Sequence, residues 1–580
     1  MDTSFAFTNG TAKKNNDGAV RKHGRAWHKR VDGLNVLKVA GSFAEMGEQH
    51  GKLLADQVKA GPIPYYRRQV ERLLGKPLGP ISPYIAAAIQ RVIGSRVERA
   101  LPDFARETAT GIARGAGLDE AEFLRGCTMP DSLLWATARL MQVRNPGPAV
   151  AHRLALGLGC TSALAWGAAT KDGKLYHARN FDYHGVANWP RHATAIFHEP
   201  ERGQRYVSIS AAGVGLGGVT SMNEAGLTLT VHQHMFTDKT RLGGTPIGVV
   251  GDIVMREARS LDEAEAILSR HTPIGCWTYV VSDGNKNQVL CFEENPDRRA
   301  ARRTSADETT FGYANIYLDP QLGETEVALY GSYWRHNQGR HATVNQRLRD
   351  RAGSLDAAGM AEILGDVGDP RCRLRDSIAM VLTVGSIVFR PSDGAFWMGT
   401  GEAPTSRGSY VPFSLAKQDH APELGALDVK HGTSLEDEAA FERFRQAYLA
   451  YVDDGDPRSA RDHIEAATRL APVQALYHST AGLLSVELGD AERAQSSFNR
   501  AIELGHPDEQ RVAAFHLWRG RAFDLAGRRS EALTDYRICS AKRADAPVHA
   551  AAKDGLKKAF DKKRAGRMHI EMSLGDVVQP

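Results

Sequence analysis

Cysteine is scarce. The 580 residues hold six, at Cys127, Cys160, Cys276, Cys291, Cys372 and Cys539. None forms a CxxC pair, which argues against a zinc ribbon or a thioredoxin-type site. Their wide scatter suits a reducing cytosol better than a disulfide framework. Long apolar runs are missing too. None reaches the ~18 residues of a membrane span, and the first thirty residues lack the ~7–15-residue apolar core of a secretory signal. Net charge is small, +5, and seven Lys or Arg against two Asp in the first 30 residues already supply it. The remainder is balanced, with no sign of a nucleic-acid groove. There is no G-x-S-x-G elbow and no P-loop. These absences predict a soluble, cytoplasmic protein with no membrane or nucleic-acid partner.

A chain of this length predicts more than one core, and its patterning divides it. Residues 1–34 read as a disordered basic tail. Residues 35–159 read as mainly helical: Ser42 and Glu45 form a capping box, and breaks are predicted at Pro102 and Gly115–Gly117. "VRNPGPAVAHRLALG" then reads as a linker. From Cys160 to about 415 the period changes. Short runs such as "SALAWGAAT", "KLYHARNFDY", "LTLTVHQHM" and "QVLCFEEN" are rich in aromatic and β-branched residues, and turn signals separate them. One helical interval interrupts at 246–271. The class predicted is α+β. From 433 to 560 helices repeat. Gly455, Gly489 and Gly527 stand 34 and 38 residues apart, each followed nine residues on by Ile464, Phe498 or Tyr536 and twelve on by Ala467, Ala501 or Cys539. That period resembles a tetratricopeptide repeat, with glycine at the inter-helix turn.

Several candidate sites deserve weighing. Gly213, Gly215 and Gly218 spell G-x-G-x-x-G, but the sequel reads as turn and strand. A dinucleotide site needs a helix there, so nucleotide binding is disfavoured. His232 and His234 alternate along one strand and have no third ligand nearby, which favours solvent-facing or site-lining roles over metal binding. Gly159-Cys160 is different. A linker precedes it, a β-rich block begins at the cysteine, and Thr161 and Ser162 follow with hydroxyls. A boundary placed on the nucleophile is what an N-terminal-nucleophile enzyme needs. Cys160 attacks the Gly159 carbonyl, and the freed α-amine, with an ordinary pKa of about 7.7–8.0, serves as base. Arg179 and Asp182 follow in "ARNFD". A regular strand puts residues three apart on opposite faces, so a site lined by both predicts a turn or bulge, and a surface ion pair is the competing reading.

"GCTSALAWGAATKDGKLYHARNFDY" resembles the start of the mature chain in the acyl-coenzyme A:6-aminopenicillanic acid acyltransferase family, the C45 autoproteolytic peptidases. "GSFAEMGEQHGKLLA", "MNEAGLTLT", "GYANIYLD" and "GSIVFRPSDGAFWMGTGEAP" extend the likeness over about residues 35–415. The resemblance implies an Ntn-hydrolase αββα sandwich; the tetratricopeptide-like domain that follows is no part of the family's core pattern. It implies catalytic roles for Cys160, Asp182, Arg179 and Asn315. Cys160 would be nucleophile and new N-terminus, Asp182 would orient the amine, Arg179 would sit beside the thiolate, and Asn315 would hold the amine or the oxyanion. Ser162 and Gln233 would support. Gln233 stands where related hydrolases carry Asn, and Arg371, Arg373 and Arg375 leave the family's distal arginine unassigned. No metal or redox cofactor is implied. The expected activity is self-cleavage at Gly159–Cys160, then hydrolysis or transfer of acyl groups on linear amides or acyl thioesters through an acyl-cysteine. The repeats would bind a protein partner or mediate self-association. The competing reading is an inactive Ntn-like scaffold in which the repeats alone work.

Overall fold

The computed structural model describes residues 18–66, 68–69, 81–142, 159–234, 237, 239–327, 331–369, 376–429, 431–577 and 580. The linker stretch 143–158 and Arg371, Arg373 and Arg375 lie outside the described residues. The chain is α+β, built on two large sheets.

The ten-stranded sheet runs in the order Arg21–His23, Ala26–Val31, Leu34–Gly41, Ala193–Pro200, Tyr206–Ala211, Thr220–Asn223, Leu227–Gln233, Trp277–Asp283, Gln288–Asn295 and Arg298–Arg303. Its neighbours are antiparallel except where Leu34–Gly41 pairs in parallel with Ala193–Pro200. The seven-stranded sheet runs Thr310–Tyr313, Gly159–Gly167, Gly173–Asp182, Thr383–Arg390, Ala395–Gly399, Tyr410–Ser414 and Asp419–His420. Leu164, Trp166 and Phe311 of this sheet share an apolar cluster with Val280, Val289 and Cys291 of the larger one. Ile387, Phe389 and Phe413 share another with Val36, Phe197 and Val207. The two sheets therefore face each other. Helices Val249–Glu257 and Leu261–Arg270 cover Leu229, Tyr279 and Phe292 of the larger sheet. Helices Gly331–Asp350 and Ala357–Leu364 cover Ala163, Tyr176 and Val388 of the smaller one. With both faces covered, strand Gly159–Gly167 is buried at every position but the last, as a near-continuous apolar run should be.

Two sequence expectations are corrected. Residues 21–34 are not a disordered tail. They form sheet strands, because His28 turns inward and bonds Asn35 Oδ1 through Nε2 at 3.0 Å, while Asn35 Nδ2 donates to the Ala193 carbonyl at 3.2 Å. The stretch read as helical from 35 accordingly begins as a strand, and helix Phe43–Leu53 starts only after the Ser42–Glu45 capping box. The break expected at Gly115–Gly117 falls at Gly117. Helix Asp103–Ala116 runs through Gly115 and ends at Gly117, whose φ of 68° closes a left-handed cap. Gly111 and Gly115 sit where this helix crosses Phe43–Leu53. A Cβ on Gly111 would lie 2.6 Å from the Ala44 carbonyl oxygen.

Beyond residue 433, helices Leu435–Val452 and Pro457–Leu470, Ala475–Glu487 and Ala491–Leu504, and Glu509–Leu525 and Arg529–Ala541 form successive antiparallel pairs, followed by Ala546–Lys557. Gly455, Gly489 and Gly527 sit at the turns with φ of 70°, 76° and 75°. Ile464, Phe498 and Tyr536 are fully buried.

Candidate active site

The site gathers at one end of the paired strands Gly159–Gly167 and Gly173–Asp182. Register alone does much of the placing: Gly159 faces Asp182 across the ladder, Cys160 faces Phe181, and Ser162 faces Arg179. Alternation along the strand then divides the groups between the two faces.

On the face toward the larger sheet lie Cys160 and Arg179. Arg179 Nη2 donates to Cys160 Sγ at 3.0 Å and to the Val231 carbonyl at 2.7 Å. Its Nη1 bonds the Val219 carbonyl and Thr220 Oγ1, and the guanidinium stands 5.2 Å over the Phe181 ring. Arg179 is thus a buried, fixed cation beside the sulfur, not half of a surface ion pair.

On the opposite face lie Asp182 and Thr161, with Arg340 above them from helix Gly331–Asp350. Arg340 Nη1 donates to the Cys160 carbonyl and to Thr161 Oγ1, both at 2.9 Å, and stands 4.0 Å from Asp182. Its Nη2 donates to Asn337 Oδ1 at 2.7 Å and Asn315 Oδ1 at 3.2 Å. Asp182 Oδ1 accepts from Thr383 Oγ1 at 2.6 Å, while its buried Oδ2 has no hydrogen-bond partner among the described residues. Burial pushes the Asp182 carboxyl up, with Arg340 opposing that shift. No bulge in Gly173–Asp182 was needed: its pairing with the cysteine strand is continuous through the site, and the register shift falls in the partner strand between Thr383 and Gly385. Arg179 and Asp182 do point to opposite faces, one against Cys160 Sγ and the other beside Gly159.

Asn315 reaches the same peptide. Cys160 N donates to Asn315 Oδ1 at 2.6 Å, and Asn315 Nδ2 donates to the Gln233 carbonyl at 2.8 Å. Asn315 has φ of 43°, a left-handed conformation that asparagine tolerates better than most residues. Gly159 is demanded by crowding, since a Cβ there would lie 3.0 Å from Arg340 Nη2 and 3.1 Å from Asp182 Oδ2. Cys160, Arg179, Asp182, Asn315 and Gly159 therefore converge. Ser162 is set back, bonding Thr230 Oγ1 and His232 Nε2 at 2.9 Å each. Gln233 lines the cavity and gives its carbonyl to Asn315.

His232 and His234 are not solvent-facing. Both point into the protein, because the second sheet covers them: His232 meets Ser162, and His234 bonds Glu326 through Nδ1 at 2.8 Å and Thr278 through Nε2 at 2.9 Å. Burial pushes the His232 imidazolium down, keeping the ring neutral. The G-x-G-x-x-G stretch leads into strand Thr220–Asn223, and its Gly213 and Gly215 border the cavity.

Arg340 escaped the sequence reading. A signal existed: Tyr333, Asn337, Arg340, Val344 and Leu348 fall at helical spacing and are all buried, so a cation occupies a core position.

A cavity of about 200 Å3 opens on Cys160. Its walls are apolar: Leu101, Ile112 and Leu124 from helices preceding Cys160, and Phe181, Tyr183 and Trp189 following it. Among the described residues, no cluster of His, Cys, Asp or Glu is placed to hold a metal ion, and no helix is long and apolar enough to cross a membrane.

Residues 168–403 match the family model described as acyl-coenzyme A:6-aminopenicillanic acid acyl-transferase. The match includes Arg179, Asp182, Gln233, Asn315 and Arg340 and begins after Cys160. An uncharacterized protein of Archaeoglobus fulgidus is 24% identical over 366 residues, which are 58% of this chain and 59% of that protein, so the chain spans under two thirds of its relative. The N-terminal domain of stress-induced protein-1 (STI-1) from C. elegans aligns over 22% of this chain and all of its own, at 19% identity and a TM-score of 0.20.

Proposed function

We propose that this chain is a self-processing N-terminal-cysteine amidohydrolase or acyltransferase of the Ntn type, with the two facing sheets and their covering helices as its αββα sandwich. The observation that carries the reading is the treatment of one peptide bond. The Gly159–Cys160 amide donates to Asn315 Oδ1, its sulfur rests against Arg179, and the orphaned Asp182 Oδ2 lies beside Gly159. A buried carboxylate oxygen with a cation at 4.0 Å but no hydrogen bond is costly. A newly formed α-ammonium on Cys160 would supply its missing donor.

In the first reaction Cys160 Sγ adds to the Gly159 carbonyl carbon, the bond to Cys160 N breaks, and the nitrogen takes the thiol proton. Water then cleaves the thioester, leaving a Gly159 carboxylate and a free thiol. In the second, the Cys160 α-amine takes the thiol proton, the thiolate attacks a substrate carbonyl, and the leaving amine departs with that proton. Water or an acceptor amine resolves the acyl-cysteine. Asp182 and Asn315 orient the amine, and Arg179 holds the sulfur in place by donating to it. The apolar walls suit a linear amide, or an acyl thioester, whose acyl group is uncharged.

The test is a denaturing gel of purified protein, followed by a panel of acyl amides and acyl thioesters. Two pieces are expected, the larger beginning Cys-Thr-Ser-Ala. Cys160→Ala should remain one chain and be inactive, since both reactions lose their sulfur. An active wild-type enzyme that stays uncut would overturn self-processing.

A further inference from the structure

The helix that carries Arg340 is held at its other end by the C-terminal helices. Arg335 Nε donates to Asp508 Oδ2 at 2.7 Å, and its Nη1 donates to Asp545 Oδ1 at 2.7 Å and to Gln510 Oε1 at 3.1 Å. Ser332 Oγ bonds Asp576. The Asp545 carboxylate lies against Gly331, where a side chain would have no room. Arg335 is only 14% exposed and Asp508 5%, so solvent does little to screen this clamp. Two carboxylates on one planar guanidinium also fix geometry as well as charge.

Five residues on, Arg340 is completely buried and grips the Cys160 carbonyl, Thr161 and Asn315. The two arginines are about 7.5 Å apart along one helix at 1.5 Å per residue. A helix moves as a body over that distance, so a shift at Arg335 is a shift at Arg340. Beside this clamp, His336 meets Met380 Sδ and Asn337 donates to the Asn315 carbonyl, both within the core.

The geometry points to Arg335, clamped by Asp508 and Asp545, as a positioning residue through which the C-terminal helices set Arg340 on the Gly159–Cys160 peptide. The inference rests on the self-processing reading for what Arg340 does, but the clamp itself is testable without it. The C-terminal helices then serve the reaction as part of the same body.

The experiment uses the full chain in three forms: Arg335→Gln, Arg335→Lys, and Asp508→Asn with Asp545→Asn. Asp508 also caps helix Glu509–Leu525, and Asn caps equally well, so the double variant removes charge and spares the cap. Three quantities are read: the self-cleavage rate, kcat against KM, and hydrogen exchange at the amides of 331–350. Misplacing a catalytic group by a fraction of an ångström costs about tenfold or more. Arg335→Gln and the double variant should therefore each slow cleavage and kcat by about that factor, with little change in KM because neither Arg335 nor Arg340 lines the cavity. Combining them should add little, and exchange across 331–350 should quicken. Arg335→Lys keeps the charge but loses the fork, and should be slowed only a few-fold. If a charge-removing form does not fold, Arg335→Lys decides by the same readings. Folded variants that cleave at the wild-type rate would overturn the proposal, as would slowing that merely tracks the unfolded fraction. Should the wild-type chain never cleave, it is the self-processing reading that fails, and exchange at 331–350 still decides the clamp: unchanged protection in the variants refutes it.

Discussion

At the scale of single residues, the site is a set of opposed demands on one peptide. Gly159 is the tightest. Gly159→Ala puts a methyl 3.0 Å from Arg340 Nη2 and 3.1 Å from Asp182 Oδ2, so these buried, hydrogen-bonded side chains must shift to admit it. Overpacking of this kind costs roughly 1–3 kcal/mol, so a gel time course should show self-cleavage slowed by about tenfold or more. Asp131 makes a separate prediction. It is buried, accepts the Ile247 amide at 3.1 Å, and burial pushes its carboxyl up to about 7. An unfolded aspartate titrates near 3.9. Between these values the folded state holds a proton that the unfolded state has released, so stability falls as pH rises from about 4 to about 7. Asp131→Asn abolishes that slope. Thermal melts should show little difference at pH 4 and a variant more stable at pH 8, by at most roughly 4 kcal/mol; equal melting temperatures at pH 8 would refute it. Residues of this scale were unequally legible. Cys160, Arg179, Asp182 and Asn315 stand in short motifs whose neighbours betray them. Arg340 stands in a helix rich in arginine, where only its position on the buried stripe distinguishes it.

At the scale of elements, close backbone approach decides what glycine means. Helices Phe43–Leu53 and Asp103–Ala116 cross on Gly47 and Gly51 against Gly111 and Gly115. Gly111→Ala should improve intrinsic helix propensity by about 1 kcal/mol. Its methyl would also meet the Ala44 carbonyl at 2.6 Å and Glu48 N at 2.9 Å, and backbone atoms cannot swing aside. Separating two helices that share this contact should cost about 1–3 kcal/mol, so the clash wins and the denaturation midpoint should fall. A raised midpoint would show that the crossing has slack. The cavity should register the change too, because Ala105, Thr108 and Ile112 of the second helix line it. This is also why the sequence placed the break at Gly115–Gly117 without saying which glycine makes it: a glycine needed for packing and a glycine ending a helix look alike until the partner helix is placed. The β-rich block was legible because β-branched and aromatic runs between turn signals need no partner to be recognised. Strands Arg21–His23 and Ala26–Val31 were not, because basic residues on their outer positions mask the pairing.

At the scale of the molecule, the order of the chain and the order of the layers disagree, and that fixes how the parts must behave. Strand Leu34–Gly41 precedes the proposed cut, yet it pairs along its length with Ala193–Pro200, which follows it. Cleavage would therefore leave two pieces locked in one sheet, separable only in denaturant. The C-terminal helices are bound as firmly. Phe441, Phe444 and Tyr448 share a core with Tyr66, Trp189, Met380 and Leu382. Tyr65 Oη donates to Asp453 at 2.6 Å, Tyr448 Oη lies 3.2 Å from His184 Nδ1, and Arg445 pairs with Glu402 at 3.0 Å. Sequence alone, in which the repeats begin after the last strand, predicts that a chain ending near residue 430 keeps its activity. The shared core predicts the reverse. Each large apolar side chain left exposed forfeits about 1.5–3 kcal/mol of burial, and several would be exposed together, against a total stability of only about 5–15 kcal/mol for a typical domain. Ending the chain near residue 430 should give protein that aggregates, or that remains soluble with an expanded hydrodynamic radius and increased binding of an apolar dye. It should not self-cleave, since Arg335 loses Asp508 and Asp545 as well. Size-exclusion chromatography, circular dichroism and the cleavage gel together decide the matter. A folded, monodisperse truncation that cleaves at the full rate would return the C-terminal helices to the status of an appended module.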